Sequence, residues 1–499
     1  MNWQNHPLIR LIIPFTLGMV GANLFISHMN MVVLFILCCV VLALSFFGIK
    51  TSNLKKDGKF GLVAMLLFLL IGMTCYTGKY RHIENGIPTD TTFVQGTLVE
   101  LPKEKTHSWA LELEQENGRH IMLYIGGQPE GLSLGDTIVG KVLHLHATNH
   151  CEDDSFKNYN NYLFHHGICA TAYAPRNQWQ VRHCSTSPSL FLVAKNKQET
   201  LHHIYDEHGI SDEAGSIIEA MTIGHKANLS PDTRQAYANA GLSHILALSG
   251  FHVGIIVLMI QVFFLKSFLP LRWQWVSHLL IIATLWCYAL LTGMSPSLVR
   301  ANTMFTILLL CQFLNREVIS VNSCALAFFL MLCFNPFYLH DIGFQLSFLA
   351  VSGIGLLGKK VVNLFTYSHR FIHYTWLITV VAIALISTIF TAPLVAHYFG
   401  KLTLISPISN LILFPLVYLL MWASILWWLF LWCEPINSIL TTVLNWTANT
   451  MNTIVERLSS LPFATIHWQP DTLTTILCYM VLLILTYFIS RKIPAKLSA

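Results

Sequence analysis

Charge is what this chain has least of. Only 11% of its 499 residues are Asp, Glu, Lys or Arg, while 54% are hydrophobic. Soluble domains carry about 25% charged residues, so a water-soluble enzyme or binding module is excluded and a polytopic membrane protein is expected. The net charge of +5 is too small to argue for a polyanionic partner by itself. No GxxxxGK[ST] run occurs, so no P-loop ATPase is read. No GxSxG occurs around Ser249, which removes the usual nucleophile elbow of a serine hydrolase there. Internal repeats and low-complexity tracts are also lacking. The 12 cysteines lie mostly in apolar runs, where Cys behaves as a small hydrophobe. Cys151, Cys169 and Cys184 are the exceptions. A disulfide among them would suit an oxidising compartment, but three candidates leave the pairing open.

What is abundant is apolar sequence. Runs at 8–27, 31–48 and 60–78 are each near the roughly 20 residues that cross a bilayer. The first is read as a retained helix rather than a cleaved signal, because no small-x-small site directly follows it. About eight or nine further spans are expected between 244 and 490. The run 437–461 is the weakest of them and is polar enough to lie along the interface instead. Lys50, Lys55, Lys56 and Lys59 crowd the loop before the third run and place it in the cytoplasm. The N-terminus is then cytoplasmic, and the polar segment after the third run lies outside. The chain divides as 1–81, a three-helix membrane segment; 82–187, an extracytoplasmic domain; 188–240, an amphipathic connection; 241–490, a transmembrane domain; and 491–499, a cytoplasmic tail.

The polar segment reads as β-rich. TTFVQGTLVEL, WALELEQ, RHIMLYIGG and GDTIVGKVLHLHA partly alternate and are divided by Gly, Asn or Pro. Five or so strands in about 100 residues suit a small barrel of the oligonucleotide-binding (OB) type. The expected fold is therefore a polytopic α-helical membrane protein with an inserted small all-β domain. FKNYNNYLFHHGI is amphipathic, with aromatics that pack on the barrel or meet nucleic acid. The domain's bases are roughly matched by acids, and its histidines add charge only below about pH 6.5. HLHATNHC places His144 and His146 on one face of a strand. It is not the HxHxDH signature of metallo-β-lactamase-type nucleases, since Thr148 and Asn149 stand where Asp and His are needed. No metal is assigned there.

The most informative stretch is GLSHILALSGFHVGII, 241–256. Imidazoles and hydroxyls are costly in lipid and should face the protein interior or a watery path. On a regular helix His244, Ser249 and His252 fall within an arc of about 140°. Gly250 and Gly254 form a small-residue stripe that lets another helix approach. The alternatives are interhelical hydrogen bonding that only holds the bundle together and, with less support, a Ser–His hydrolase. Arg300 follows a helix start in LTGMSPSLVRAN, with Ser295 at the N-cap and Pro296 first in the helix. It is expected near the outer interface, either snorkelling or contacting phosphate. In DIGFQLSFLAVSGI, Asp341, Gln345 and Ser352 fall within about 40° of one helical face. Phe344 and Phe348 flank that face, for packing or for stacking on bases.

These motifs resemble those of the ComEC family of DNA-uptake proteins. GLSHILALSGFHVGII is similar to its HxLAxSGxHxG signature, LLTGMSPSLVRA to its TG-x-SP-x-x-RA element, and NPFYLHDIGFQLSFLAVSGI to its NP…D-x-GFQLSF-x-AV element. TAPLVAHYFGKLTLISPISNLILFPLV resembles its later helix pair with an asparagine-containing break, and FKNYNNYLFHHGICATAY the end of its OB-type domain. The resemblance implies an inner-membrane channel that carries single-stranded DNA to the cytoplasm in natural transformation. It implies no enzyme activity and no cofactor. By motif, the pathway residues are His244, Ser249, Gly250, His252, Gly254, Arg300, Asp341, Gln345 and Ser347. Ser347 is included on resemblance alone, and Ser352 joins from the helical stripe. Implied partners are the bilayer, a periplasmic DNA receptor, a cytoplasmic translocase and a single-strand-binding protein. The longest family members end in a metallo-β-lactamase-like domain, and none is read here. A transporter of another anionic polymer or a small solute is the competing expectation.

Overall fold

A computed structural model of the chain describes residues 7–26, 59–85, 93–105, 108–129, 131–148, 154–176, 178–182, 190–210, 212–262, 274–314, 320–366 and 375–492, with a few positions between 33 and 41. Most of the second apolar run, together with Cys151 and Cys184, lies outside the described residues. The chain forms two units. One comprises Asn2–Asn196 and Phe328–Asp341, the other Lys197–Ala327 and Ile342–Ala499.

The first unit begins with two apolar helices, α1 (Pro7–Leu24) and α2 (Lys59–Glu84). They cross at glycines. A Cβ on Gly18 would stand 2.1 Å from Leu69 O, and one on Gly72 2.1 Å from Phe15 O. Backbone therefore meets backbone, which gives the dispersion contact that holds helices together in lipid. Tyr76 on α2 is fully buried. Its hydroxyl donates to Asn23 Oδ1 at 2.7 Å and lies 3.1 Å from His340 Nε2.

The β domain follows. Its strands are β1 (Phe93–Leu98), β2 (Lys103–Glu104), β3 (Trp109–Glu114), β4 (His120–Ile125), β5 (Thr137–Lys141) and β6 (His144–Ala147), then β7 (Ile168–Ala174) and β8 (Trp179–Arg182) after helix α3 (Asp154–His165). The strand order is β6-β7-β4-β3-β1-β5-β8. β5 and β6 are consecutive halves of one bent stretch. One half pairs with β1 and the other with β7, so the path closes on itself. All these pairs are antiparallel except β4 with β7. Five principal strands closing with one parallel pair is the OB-type arrangement. Alternation fills the interior with Val94, Leu98, Leu111, Leu113, Ile121, Leu123, Ile125 and Ile138. The thiol of buried Cys169 points at His120 O, 3.3 Å away.

On β4, His120 Nδ1 donates to Glu112 Oε1 of β3 at 2.8 Å. That bond raises the imidazole above its usual 6.5 against the opposing effect of burial. Burial pushes the Glu112 carboxyl up, but the bond to His120, together with the charges of His120, Lys103 and Lys195, holds it below the ordinary range. A histidine whose folded pKa is raised stabilises fully below its unfolded value and stops doing so as pH rises through the folded one. Wild type is therefore expected to lose up to about 1 kcal/mol more than Glu112→Gln between mildly acidic and mildly alkaline pH. Thermal melts at paired pH values, with the His120 ring resonance followed in parallel, check this. An equal pH slope in the two proteins would reject it.

Helix α4 (Leu190–Glu207) leads into the second unit. Its helices are α5 (Glu213–Thr222), α6 (Pro231–Asn239), α7 (Gly250–Ile260), α8 (Gln274–Leu291), α9 (Pro296–Phe313) and α10 (Ser320–Phe334), whose last turns belong to the first unit. A 3-10 turn at Pro336–His340 precedes α11 (Ile342–Gly353), a π-helical turn at Ile354–Gly358, and α12 (Lys359–Thr366). Then come α13 (Thr375–Phe399), β9 (Lys401–Thr403), α14 (Ser406–Leu429), α15 (Glu434–Ser459), β10 (Thr465–His467) and α16 (Thr472–Lys492). One core joins α4, α5, α6, α14 and α15 around Tyr205, Tyr237 and Trp427. A second joins α7, α8 and α9. The Tyr205 hydroxyl is shared by Thr222, Ser424 and Trp428 at 3.1, 3.1 and 2.8 Å. Most of the sequence 437–461 falls within α15. α15 runs beside α14 and buries Asn437, Leu444, Thr447, Ala448, Met451 and Val455.

Among the described residues five helices are long and apolar enough to cross a membrane: Gly61–Glu84, Ile342–Asn363, Ile378–Phe399, Ser406–Leu429 and Thr472–Ile489. Shorter apolar helices lie at Leu8–Leu24, Gly250–Ile260, Trp275–Leu291 and Asn322–Phe334. Leu473, Leu477, Met480, Leu483 and Phe488 leave α16 apolar and exposed over its whole length, as lipid contact requires. This is a helical membrane protein with an inserted β domain.

Candidate functional site

The site is built where α7 starts. The stretch 241–249 is not helical, which corrects the single-helix arc expected for His244, Ser249 and His252. Two local causes break it. Gly241 takes φ +74, and a Cβ there would meet Ser406 Cβ at 2.5 Å, so only glycine fits. Ser249, in extended backbone, is the N-cap of α7. Its N–H donates to His252 Nδ1 at 3.2 Å, and its Oγ lies 2.9 Å from the same nitrogen. This is a capping box in which an imidazole replaces the usual Glu or Gln at N3. His244 stands on the preceding turn and is exposed.

His252 is fully buried. Because Nδ1 accepts the Ser249 N–H, the neutral ring carries its proton on Nε2. Nε2 is buried with no hydrogen-bond partner among the described residues. A buried donor left unpaired costs about 1–3 kcal/mol. The same fact weakens the hydrolase reading. A triad needs an acid on the far nitrogen of the base, and none of the described residues supplies one.

Gly250 and Gly254 face α9. A Cβ on Gly250 would lie 3.7 Å from Ala301 Cβ, and one on Gly254 3.8 Å from Phe305 Cζ. Both are ordinary contact distances. The stripe faces another helix as expected, but it does not require glycine. Gly250→Ala and Gly254→Ala are each expected to change stability by less than about 1 kcal/mol, read as unchanged membrane levels and melting in detergent. A collapse of either variant would refute the packing described.

α9 begins as the sequence reading placed it, with Ser295 as N-cap and Pro296 first in the helix, although the Ser295 side chain makes no capping bond. The turn before it is tight. Gly293 and Met294 both have positive φ, +72 and +53. For methionine that is a strained conformation, costing on the order of 1–3 kcal/mol. Arg300 is buried at 6% exposure, so its guanidinium does not snorkel at a surface. Asn302 was missed in the sequence. It is fully buried, and its Nδ2 donates to Leu285 O of α8 at 2.7 Å. Its Oδ1 has no partner among the described residues.

The asparagine-containing break falls at 400–405. Asn410 itself lies inside α14, where its Nδ2 donates to Ser406 Oγ at 3.3 Å. Ser406 Oγ in turn donates to Gly241 O at 3.2 Å, tying the signature turn to the start of α14.

Asp341 closes the 3-10 turn of the first unit, its N–H donating to Tyr338 O at 3.1 Å. Gln345, Ser347 and Ser352 belong to α11. The Tyr398 hydroxyl of α13 donates to Gln345 Oε1 at a long 3.5 Å, whereas Ser352 hydrogen-bonds the Cys324 thiol of α10. Phe344 and Phe348 are buried against each other with ring centroids 4.5 Å apart, so they pack and offer no face to a base. Exposed rings occur in the β-domain unit instead. Tyr159 and Tyr162 of α3 are stacked at 6.3 Å, and Tyr162 lies 4.0 Å from the His166 ring. Phe164, on the other side of α3, is buried against Tyr80 and Phe337.

The helical core that carries Ser249 and His252 is the part of the chain that comparison recognises. A family model described as "Competence protein" matches residues 221–492, more than half of the chain. The chain belongs to the competence protein family. It is 27% identical over 339 residues to "ComE operon protein 3" of Bacillus subtilis (strain 168), covering 68% of this chain and 40% of that protein. It is also 32% identical over 172 residues to an "Uncharacterized protein" of Aquifex aeolicus (strain VF5), covering 34% of this chain and 37% of that one. This competence protein thus spans well under two thirds of the relatives it matches. No solved structure matches it significantly.

Proposed function

We propose that this protein carries single-stranded DNA across the inner membrane during natural transformation, acting as a channel rather than an enzyme. The reading is carried by the competence-family match over 221–492, a stretch whose core keeps a buried imidazole and a serine at a helix start instead of purely apolar packing. In membrane helices such groups mark pathways more often than packing. His244, Ser249, Gly250, His252, Gly254, Arg300, Asp341, Gln345, Ser347 and Ser352 are the pathway candidates. The β domain lies outside, by the lysine-rich loop before α2. The exposed Tyr159–Tyr162–His166 strip is of the kind on which successive bases stack. A periplasmic DNA receptor, a cytoplasmic translocase and a single-strand-binding protein are the partners such a step needs.

The test is transport of labelled DNA in a deletion strain with and without the complementing gene. DNA held outside the inner membrane in the deletion, and reaching the cytoplasm on complementation, is the expected result. Normal import in the deletion would reject the proposal and favour transport of another solute.

A further inference from the structure

A second polar cluster, apart from the signature residues, lies between α4 and the end of α5. Its centre is Glu219, 1% exposed. One carboxylate oxygen accepts from His202 Nδ1 at 2.9 Å and the other from His225 Nδ1 at 3.1 Å. The two imidazoles stack face to face, with centroids 4.6 Å apart and planes within 19°. Each ring turns its far nitrogen to a further acid: His202 Nε2 lies 3.5 Å from Asp206 Oδ2, and His225 Nε2 3.6 Å from Glu199 Oε1. All five residues lie in the second unit.

We propose that His202, Glu219 and His225 form a binding site for one divalent transition-metal ion of the zinc type. The ligand atoms of the three side chains all lie within 4.8 Å of one another. Ligands 2.0–2.1 Å from a tetrahedral zinc are about 3.3–3.5 Å apart, so closure asks for a movement of about an ångström. Two imidazole nitrogens and one carboxylate are a zinc donor set, and the fourth position is left to water. The outer acids strengthen the assignment. A histidine that binds metal through one nitrogen generally donates its other N–H to a carboxylate, which orients the ring, and Asp206 and Glu199 stand in those places. Charge points the same way. Three carboxylates surround two stacked rings, and a dication held by neutral imidazoles offsets two of the three negative charges without placing two positive rings face to face.

The ion would tie α4 to the turn after α5. That turn supports the signature stretch, since a Cβ on Gly224 would meet Leu248 Cδ1 at 2.8 Å and Tyr288 Oη donates to Thr222 O at 2.7 Å. The proposal stands independently of the DNA-transport reading.

The experiment uses full-length protein in detergent, stripped with a chelator. Zinc is titrated against a chromophoric competitor, and cobalt is added separately to read its four-coordinate visible absorption. Wild type and His203→Ala, altered at an exposed neighbour, are expected to bind one ion with this spectrum and to melt higher with zinc. His202→Gln and the His202→Gln/His225→Gln pair are expected to bind at least tenfold more weakly and to lose the spectrum. Equal binding and equal spectra in wild type and the double variant would overturn the proposal. So would the absence of any zinc-dependent melting shift in stripped wild type, a readout that does not depend on a variant folding.

Discussion

Cells expressing Gly72→Ala are expected to hold much less of this protein in their membranes than wild type. The added methyl would sit 2.1 Å from Phe15 O, and the next nearest atoms, Phe15 C and Met19 N, are also backbone. No rotamer change relieves such an overlap, so α1 and α2 must move apart along their crossing. Overpacking a core costs about 1–3 kcal/mol even where side chains can yield, and here the separation also removes the dispersion contact on which helix pairing in lipid depends. Gly18→Ala should behave alike, because its methyl meets Leu69 O at the same distance. Gly21→Ala is the control. Its methyl would meet only the tip of Met73 at 3.4 Å, which can shift. Immunoblots of membrane fractions and melting in detergent measure the effect. Wild-type levels of Gly72→Ala would show that the helices do not cross as described.

The second large effect is functional. His252→Ala is expected to reduce DNA arrival in the cytoplasm by at least tenfold. Loss of the cap costs about 0.5–2 kcal/mol and accounts for part of any defect. His252→Gln separates the two roles. Glutamine at N3 is the usual partner in a capping box, so the amide oxygen can accept the Ser249 N–H and hold the start of α7. It does not reproduce the ring N–H at the Nε2 position. Normal membrane levels with transport still lost are expected for His252→Gln. If transport returns with glutamine, the histidine serves only as a cap and the pathway role of this residue fails.

The apolar runs, the β-rich insertion and the polar signature were legible because each is a local pattern of period or composition. The start of α7 was not. HILALSGFHVGII is apolar on both sides of Ser249, so periodicity carries no stop, and an imidazole in a capping box is outside the usual Ser-x-x-Glu pattern. The need for glycine was also misplaced. Gly250 and Gly254 stand out by spacing, yet Gly18, Gly72 and Gly241 are among the positions where a methyl would strike neighbouring atoms, and tertiary contact alone reveals that. His202, Glu219 and His225 follow no recognisable spacing and meet only because α4 packs beside α5.

The short ribbon of β9 with β10 constrains how often the chain turns back. Thr403 pairs with Thr465, Leu402 with Ile466 and Lys401 with His467. Two three-residue strands bonded backbone to backbone lie on one side of any bilayer. Between them the chain passes along α14 and returns along α15, helices of 24 and 26 residues, each long enough to cross about 30 Å of hydrocarbon. The number of crossings between the ribbon's two strands is therefore expected to be even. If α13, α14 and α16 cross, α15 is expected to cross back, and the end of α16 is then expected on the same side as the start of α12, so that the positive charges of the two segments share one face of the membrane.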